Sequence, residues 1–96
     1  MKVKIQTVHF DADSRLEEFI HERVDKLINR YKSVIRADVV LRLEKSESQD
    51  NKIAEIKLEV PGNNLFVKKQ SKSFEDAADS AVEVLHRQLE KIKDKR

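Results

Sequence analysis

The sequence predicts an α+β domain of order β-α-β-β-β-α, a four-stranded sheet with two helices packed on one face. Three observations predict it. Residues 14–31 and 73–96 repeat apolar side chains at i, i+3 and i+4, the spacing of one helix face. Three shorter stretches alternate apolar and polar residues at period two, and a fourth does so less regularly. Turn-forming residues fall between them: Asp11-Ala12-Asp13, the polar run 46–51 (SESQDN), and Pro61-Gly62. With 96 residues, the chain (1–96) is expected to be a single domain with one core.

Val3, Ile5 and Thr7 alternate with Lys2, Lys4 and Gln6, as in a half-buried strand. Ser14 then stands as helix cap, with Glu17 completing an S-x-x-E capping box. Leu16, Phe19, Ile20, Val24, Leu27, Ile28 and Tyr31 form the apolar face of the helix that follows. Its other face mixes Arg15, Arg23, Lys26 and Arg30 with Glu17, Glu18, Glu22 and Asp25. The second strand is expected over Asp38–Lys45, with Val39, Leu41 and Leu43 on one side. The third is expected over Ile53–Val60, with Ala54, Ile56, Leu58 and Val60 inward, and it pairs with the second as a hairpin. Pro61-Gly62 suits the centre of a type II turn. The fourth strand, from Leu65 to about Gln70, sets Phe66 beside Val67 and Lys68 beside Lys69, so periodicity leaves the facing of its lysines open.

Ser73 is a good cap for the last helix, and Asp76 puts a carboxylate in its first turn. Phe74, Ala77, Ala78, Ala81, Leu85, Leu89 and Ile92 form its apolar face. Charge changes sign along it. Residues 75–83 carry Glu75, Asp76, Asp79 and Glu83 and no base, whereas Arg87, Lys91, Lys93, Lys95 and Arg96 dominate the end. Arg87, Lys91 and Lys95 are four apart and share nearly one line. Such a stripe has two readings. Cations at a helix C-terminus offset the macrodipole by about 0.3–1 kcal/mol each, and the same cations can neutralise phosphates. Lys68, Lys69 and Lys72, with no acid among residues 68–72, are likewise either guards of an edge strand or further phosphate contacts.

Composition narrows the classes. Charged residues make up 40% of the chain but the net charge is only +2, so distribution rather than total charge decides the partner. With no cysteine there is no disulfide framework, thiolate metal site or cysteine nucleophile. His9, His21 and His86 are scattered without metal-ligand spacing, and the single glycine, Gly62, leaves no glycine-rich phosphate loop. No enzyme, cofactor, metal or small-molecule substrate is expected. Neither a membrane-length apolar run nor a signal peptide is present, so a soluble cytoplasmic protein is expected.

The ending Phe74-x-x-Ala77-x-Asp79-x-x-Val82-x-x-Leu85-x-Arg87-Gln88-Leu89-x-Lys91-x-Lys93 resembles the second helix of the bacterial ribosome hibernation-promoting factors. These are the ribosome-associated inhibitors, also called the sigma-54 modulation or light-repressed family. Leu16-x-x-Phe19-Ile20-x-x-Arg23-Val24-x-Lys26-Leu27 is similar to the family's first helix, and Val39-Val40-Leu41-x-Leu43-Glu44-Lys45 to its second strand. The resemblance covers essentially the whole chain. It implies a fold like a double-stranded-RNA-binding domain. It also implies binding of 30S subunits and 70S ribosomes through 16S rRNA, in the channel over the A and P sites. Translation would be inhibited, idle ribosomes preserved and ribosome dimers modulated, by a protein that is monomeric when free. Carried over by position, the rRNA contacts would be Arg23, Lys26 and Arg30 on the first helix and Arg87, Lys91, Lys93, Lys95 and Arg96 on the second. The chain departs from the family pattern at Val84, where a lysine is common, at Ala78, where an isoleucine is common, and at Phe66, Lys68 and Gln70, where small residues are common.

Two other classes compete. One is a protein-binding module that uses the open sheet face or the edge of the fourth strand. The other is a general duplex-RNA binder, which would take any RNA helix with similar affinity.

Overall fold

The computed structural model describes residues 3–44 and 50–94, with side chains described as far as Ile92. Its elements are β1 (Val3–Val8), α1 (Ser14–Arg30), β2 (Arg36–Leu43), β3 (Lys52–Glu59), β4 (Leu65–Ser71) and α2 (Phe74–Asp94). The expected order is therefore found. The strands form one sheet in the order β1-β2-β3-β4. β1 runs parallel to β2, with α1 as the crossover, and the other two pairings are antiparallel.

The alternation of each strand decides which residues meet the helices. Ile5 pairs with Val39, Val39 with Ile56, and Ile56 with Val67, a row that crosses the sheet on its covered face. Against it lie Ile20, Val24, Leu27 and Ile28 of α1 and Ala77, Ala78, Ala81, Leu85 and Leu89 of α2, all buried. Burying each large side chain contributes about 1.5–3 kcal/mol, so these stripes dock the helices. Three fully buried alanines give α2 a smooth stripe, and α2 packs mainly on β3 and β4 while α1 packs on α2, β1 and β2. Phe10, after β1, stacks on Phe74 at the start of α2 with ring centroids 4.4 Å apart, tying the two ends of the covered layer together.

Several boundaries differ from the sequence reading. Asp13, not Ser14, is the cap of α1. Its carboxylate accepts from the Leu16 amide at 2.9 Å, and its carbonyl accepts from Glu17 at 3.1 Å. A carboxylate at this position serves the positive helix end better than a hydroxyl, and Ser14 becomes the first helical residue. β2 starts two residues before the expected Asp38, because Arg36 and Ala37 find partners in Glu59 and Leu58. It ends at Leu43, and Lys45 lies outside the described residues, as does most of the loop 46–51. β3 runs Lys52–Glu59, one residue earlier than expected, so Val60 opens the turn instead of ending the strand. Ser73 Oγ caps α2 through the Asp76 amide at 3.1 Å. Gly62 has φ +78°, and the Asn63 amide donates to the Val60 carbonyl at 3.0 Å, as the central glycine of a type II turn requires.

The open face of the sheet is polar but not wholly so. Arg42 and Glu55 pair across strands at 3.5 Å. Ile53 points to this face and is nonetheless 1% exposed, between its register partners Arg42 and Gln70. Gln70 also donates to the Asp50 carbonyl. Phe66, on the same face of the edge strand β4, is 58% exposed.

Candidate nucleic-acid interface

The helices leave between them an exposed groove lined by Arg23, Lys26, Leu27 and Arg30 of α1 and by Asp79, Val82, Glu83 and His86 of α2. Helical periodicity builds it. Arg23, Lys26 and Arg30 follow at i, i+3 and i+7, which sets them on one stripe beside the apolar face of α1. Leu27 and Val82 belong to the core stripes and supply the groove's apolar lining. All three cations are exposed.

Their surroundings differ. The Arg23 guanidinium lies over the Phe19 ring, 4.8 Å from its centroid, and its Nε is 3.5 Å from the Asp79 carboxylate. Arg30 sits 6.0 Å from the Tyr31 ring centroid. Lys26 has no ion pair among the described residues. On α2, Arg87 donates to Glu83 one turn earlier, and Lys91 is exposed one turn later. Both ion pairs are exposed to solvent and worth about 0–1 kcal/mol, so a stronger anion can replace either carboxylate.

The structure therefore brings together Arg23, Lys26 and Arg30 in the groove, with Arg87 and Lys91 leading away from it along α2. It does not gather the lysines near β4. Lys68 lies on the open sheet face opposite Glu55, Lys69 lies on the helix-covered face opposite Ala54, and Lys72 is exposed between β4 and α2. The side chain of Lys93, and Lys95 and Arg96 entirely, lie outside the described residues.

Two acids from the first half of α2, Asp79 and Glu83, also line the groove. The signal was present in the sequence, because Asp79, Glu83, Arg87 and Lys91 are four apart throughout and form one continuous line. The basic stripe is the second half of a line whose first half is acidic.

Behind the groove, Tyr31 caps α1 and is buried, its ring tilted against His86 at 5.7 Å. Burial pushes its phenol above the ordinary value, and the neighbouring Glu90 carboxylate pushes the same way. The hydroxyl has no hydrogen bond of good geometry, so burial is the dominant cause. Among the described residues no group of three His, Cys, Asp or Glu side chains is placed to hold a metal ion.

The groove can hold anions by charge and can lay a flat, apolar surface against its lining.

Comparison with known proteins follows the same lines. The family described as Sigma 54 modulation protein / S30EA ribosomal protein matches residues 3–96. The chain is similar to the ribosome hibernation promoting factor of Pseudomonas putida, at 23% identity over 95 residues, 99% of this chain and 89% of that one. A ribosomal subunit interface protein from Coxiella burnetii has the same fold at 16% identity and a TM-score of 0.84, covering 98% of this chain and 99% of that chain. The N-terminal domain of Thermus thermophilus Protein Y matches at 23% identity with a TM-score of 0.79, covering 96% and 99% of the two chains.

Proposed function

We propose that this chain, which belongs to the Sigma 54 modulation protein / S30EA ribosomal protein family, is a ribosome hibernation factor that acts by occupying a site rather than by catalysis. The observation that carries the reading is the interhelical groove. Three exposed cations of α1 line it, and Arg87 and Lys91 continue from it along α2. The name of the Pseudomonas putida relative supports the biological role.

In this reading the groove side of the molecule meets 16S rRNA in the small-subunit channel, over the A and P sites. The protein arrives as a monomer in the cytoplasm and binds 30S subunits or 70S ribosomes. Occupancy excludes messenger and transfer RNA, translation stops, and the idle particle is preserved. Arg23, Lys26, Arg30, Arg87 and Lys91 neutralise phosphates and release counterions, with Lys93, Lys95 and Arg96 continuing the line. Arg87 can grip one phosphate with two donors once Glu83 lets go. Structured RNA is read here by shape and backbone, which suits a groove without a base-specific pocket. Lys69, on the helix-covered face, and Lys72, exposed between β4 and α2, lie apart from the groove and would add outlying contacts, whereas Lys68 lies on the other face of the sheet and would need a separate one.

Co-sedimentation with vacant ribosomes at low and high salt tests the reading. The protein is expected to travel with 30S and 70S particles at low salt and to be stripped at high salt. Arg87→Glu with Lys91→Glu is expected to weaken binding at least a hundredfold while the fold survives, since both side chains are exposed. A protein that stays at the top of the gradient at both salts would sink the proposal, and the exposed edge of β4 would become the surface to examine.

A further inference from the structure

We propose that Asp79 and Glu83 are specificity-determining residues: internal counter-anions that turn away an indiscriminate polyanion laid along α2. The inference rests on the ribosome-binding reading above and concerns how that same surface rejects other RNA.

The argument starts from the line Asp79, Glu83, Arg87, Lys91. Successive members stand about 6 Å apart along the helix axis, comparable to the spacing of neighbouring phosphates on a strand. A line of four cations at that spacing would accept any phosphate backbone laid along α2. Here its first half is anionic, so a regular backbone lying on the full line meets two repulsions before two attractions. Like charges placed against the wrong ligand are a means of specificity. The cations left for phosphate are then Arg23, Lys26 and Arg30 in the groove and Arg87 and Lys91 beyond it on α2.

The two acids are also already engaged. Asp79 holds Arg23 at 3.5 Å and Glu83 holds Arg87, so two of the five cations carry a carboxylate where a phosphate would sit. RNA must exchange with that carboxylate. Both pairs are about half exposed or more, with side-chain exposures of 47% and 48% in one and 69% and 63% in the other, so the exchange is open to ligand. Exchange of one anion for another releases fewer counterions than neutralising a bare cation. The salt dependence should then be shallower than the number of cations suggests.

The test measures affinity against salt for two ligands, a plain RNA duplex and vacant 30S subunits. The proteins compared are the wild type, Asp79→Asn/Glu83→Gln, and Glu75→Gln. The last removes an exposed acid of α2 that does not line the groove, and so controls for net charge. The double variant is expected to bind duplex RNA about tenfold tighter and 30S subunits by threefold or less, so discrimination falls. Its slope of log affinity against log salt should steepen by roughly one, given about 0.7–0.9 per phosphate newly neutralised. Three results would overturn the proposal. An unchanged slope would mean that the acids do not compete. A gain for Glu75→Gln of half the double variant's on a logarithmic scale, one charge removed against two, would mean that only net charge matters. Weaker binding to both ligands would make Asp79 a positioning residue for Arg23. If the wild type fails to bind 30S subunits, the ribosome reading falls, but the duplex arm still decides whether the acids compete.

Discussion

The two faces of the sheet cover apolar surface by different means and sort charge differently. On one face the helices bury Val39, Leu41, Ile56 and Leu58 completely. On the other, Ile53 is almost as well hidden with no helix above it, flanked by the long side chains of Arg42 and Gln70. The contrast extends to cations. A helix returns to the same side every three or four residues, so Arg23, Lys26 and Arg30 converge although seven positions separate the first from the last. A strand changes side at every residue, so Lys68 and Lys69, adjacent in sequence, end on opposite faces. The lesson is that a run of lysines in a strand is not a basic patch, whereas lysines and arginines spread along a helix can be one.

Four substitutions would break or sharpen this contrast. Leu85→Ala removes a fully buried side chain from the covered face and is expected to cost about 3 kcal/mol in urea unfolding, within the usual range for leucine in a packed core. Ile53→Ala, on the open face, is expected to cost about 2 kcal/mol, because flexible neighbours can close over the gap. Equal losses at the two sites would mean that the open face is packed as rigidly as the core.

Tyr31→Phe should change stability by less than about 1 kcal/mol at pH 8, since the hydroxyl lacks a good partner. The folded-state pKa is raised, so the folded state holds this proton more tightly than the unfolded chain. The stabilisation is present below the ordinary tyrosine value near 10 and is lost as pH rises through the folded value. Thermal melts at pH 8 and pH 11 should therefore show the wild type losing more than the variant. Parallel losses would show that Tyr31 titrates normally. The smallest effect is expected for Lys68→Glu, which should alter 30S affinity by less than threefold in the sedimentation assay, against at least a hundredfold for reversal of Arg87 and Lys91. A large loss would move the interface to the open face.

Much of this was legible in the sequence, for identifiable reasons. Element order and both core stripes follow from period, because the same residues that repeat are the ones that bury. Phe66, Lys68 and Gln70, which departed from the family pattern, turn out to share the open face, where no small residue is needed. Ala78 is fully buried in the smooth stripe of α2, and Val84 packs at the edge of the core. The cap of α1 was misplaced because Asp13 and Ser14 are both good caps, and only the Leu16 amide distinguishes them. The acids of the groove were missed because α2 was read as two charge blocks instead of as one line. Ile53 was not foreseen because its cover comes from neighbouring strands, which no single-segment pattern contains.

The parallel pairing of β1 has a consequence for how the molecule is made. Its partner arrives late: Val3 sits opposite Ala37, 34 positions on, whereas β2, β3 and β4 are separated by fewer residues in sequence. At 5–20 residues per second of synthesis, β1 waits roughly 2–7 s before β2 exists. Through that interval its apolar side has no sheet to join, and Lys4 and Gln6, alternating with Val3 and Ile5, keep it from pairing with other chains. Of the four strands, β1 thus waits longest for its partner, and the helix that follows it is what brings it there.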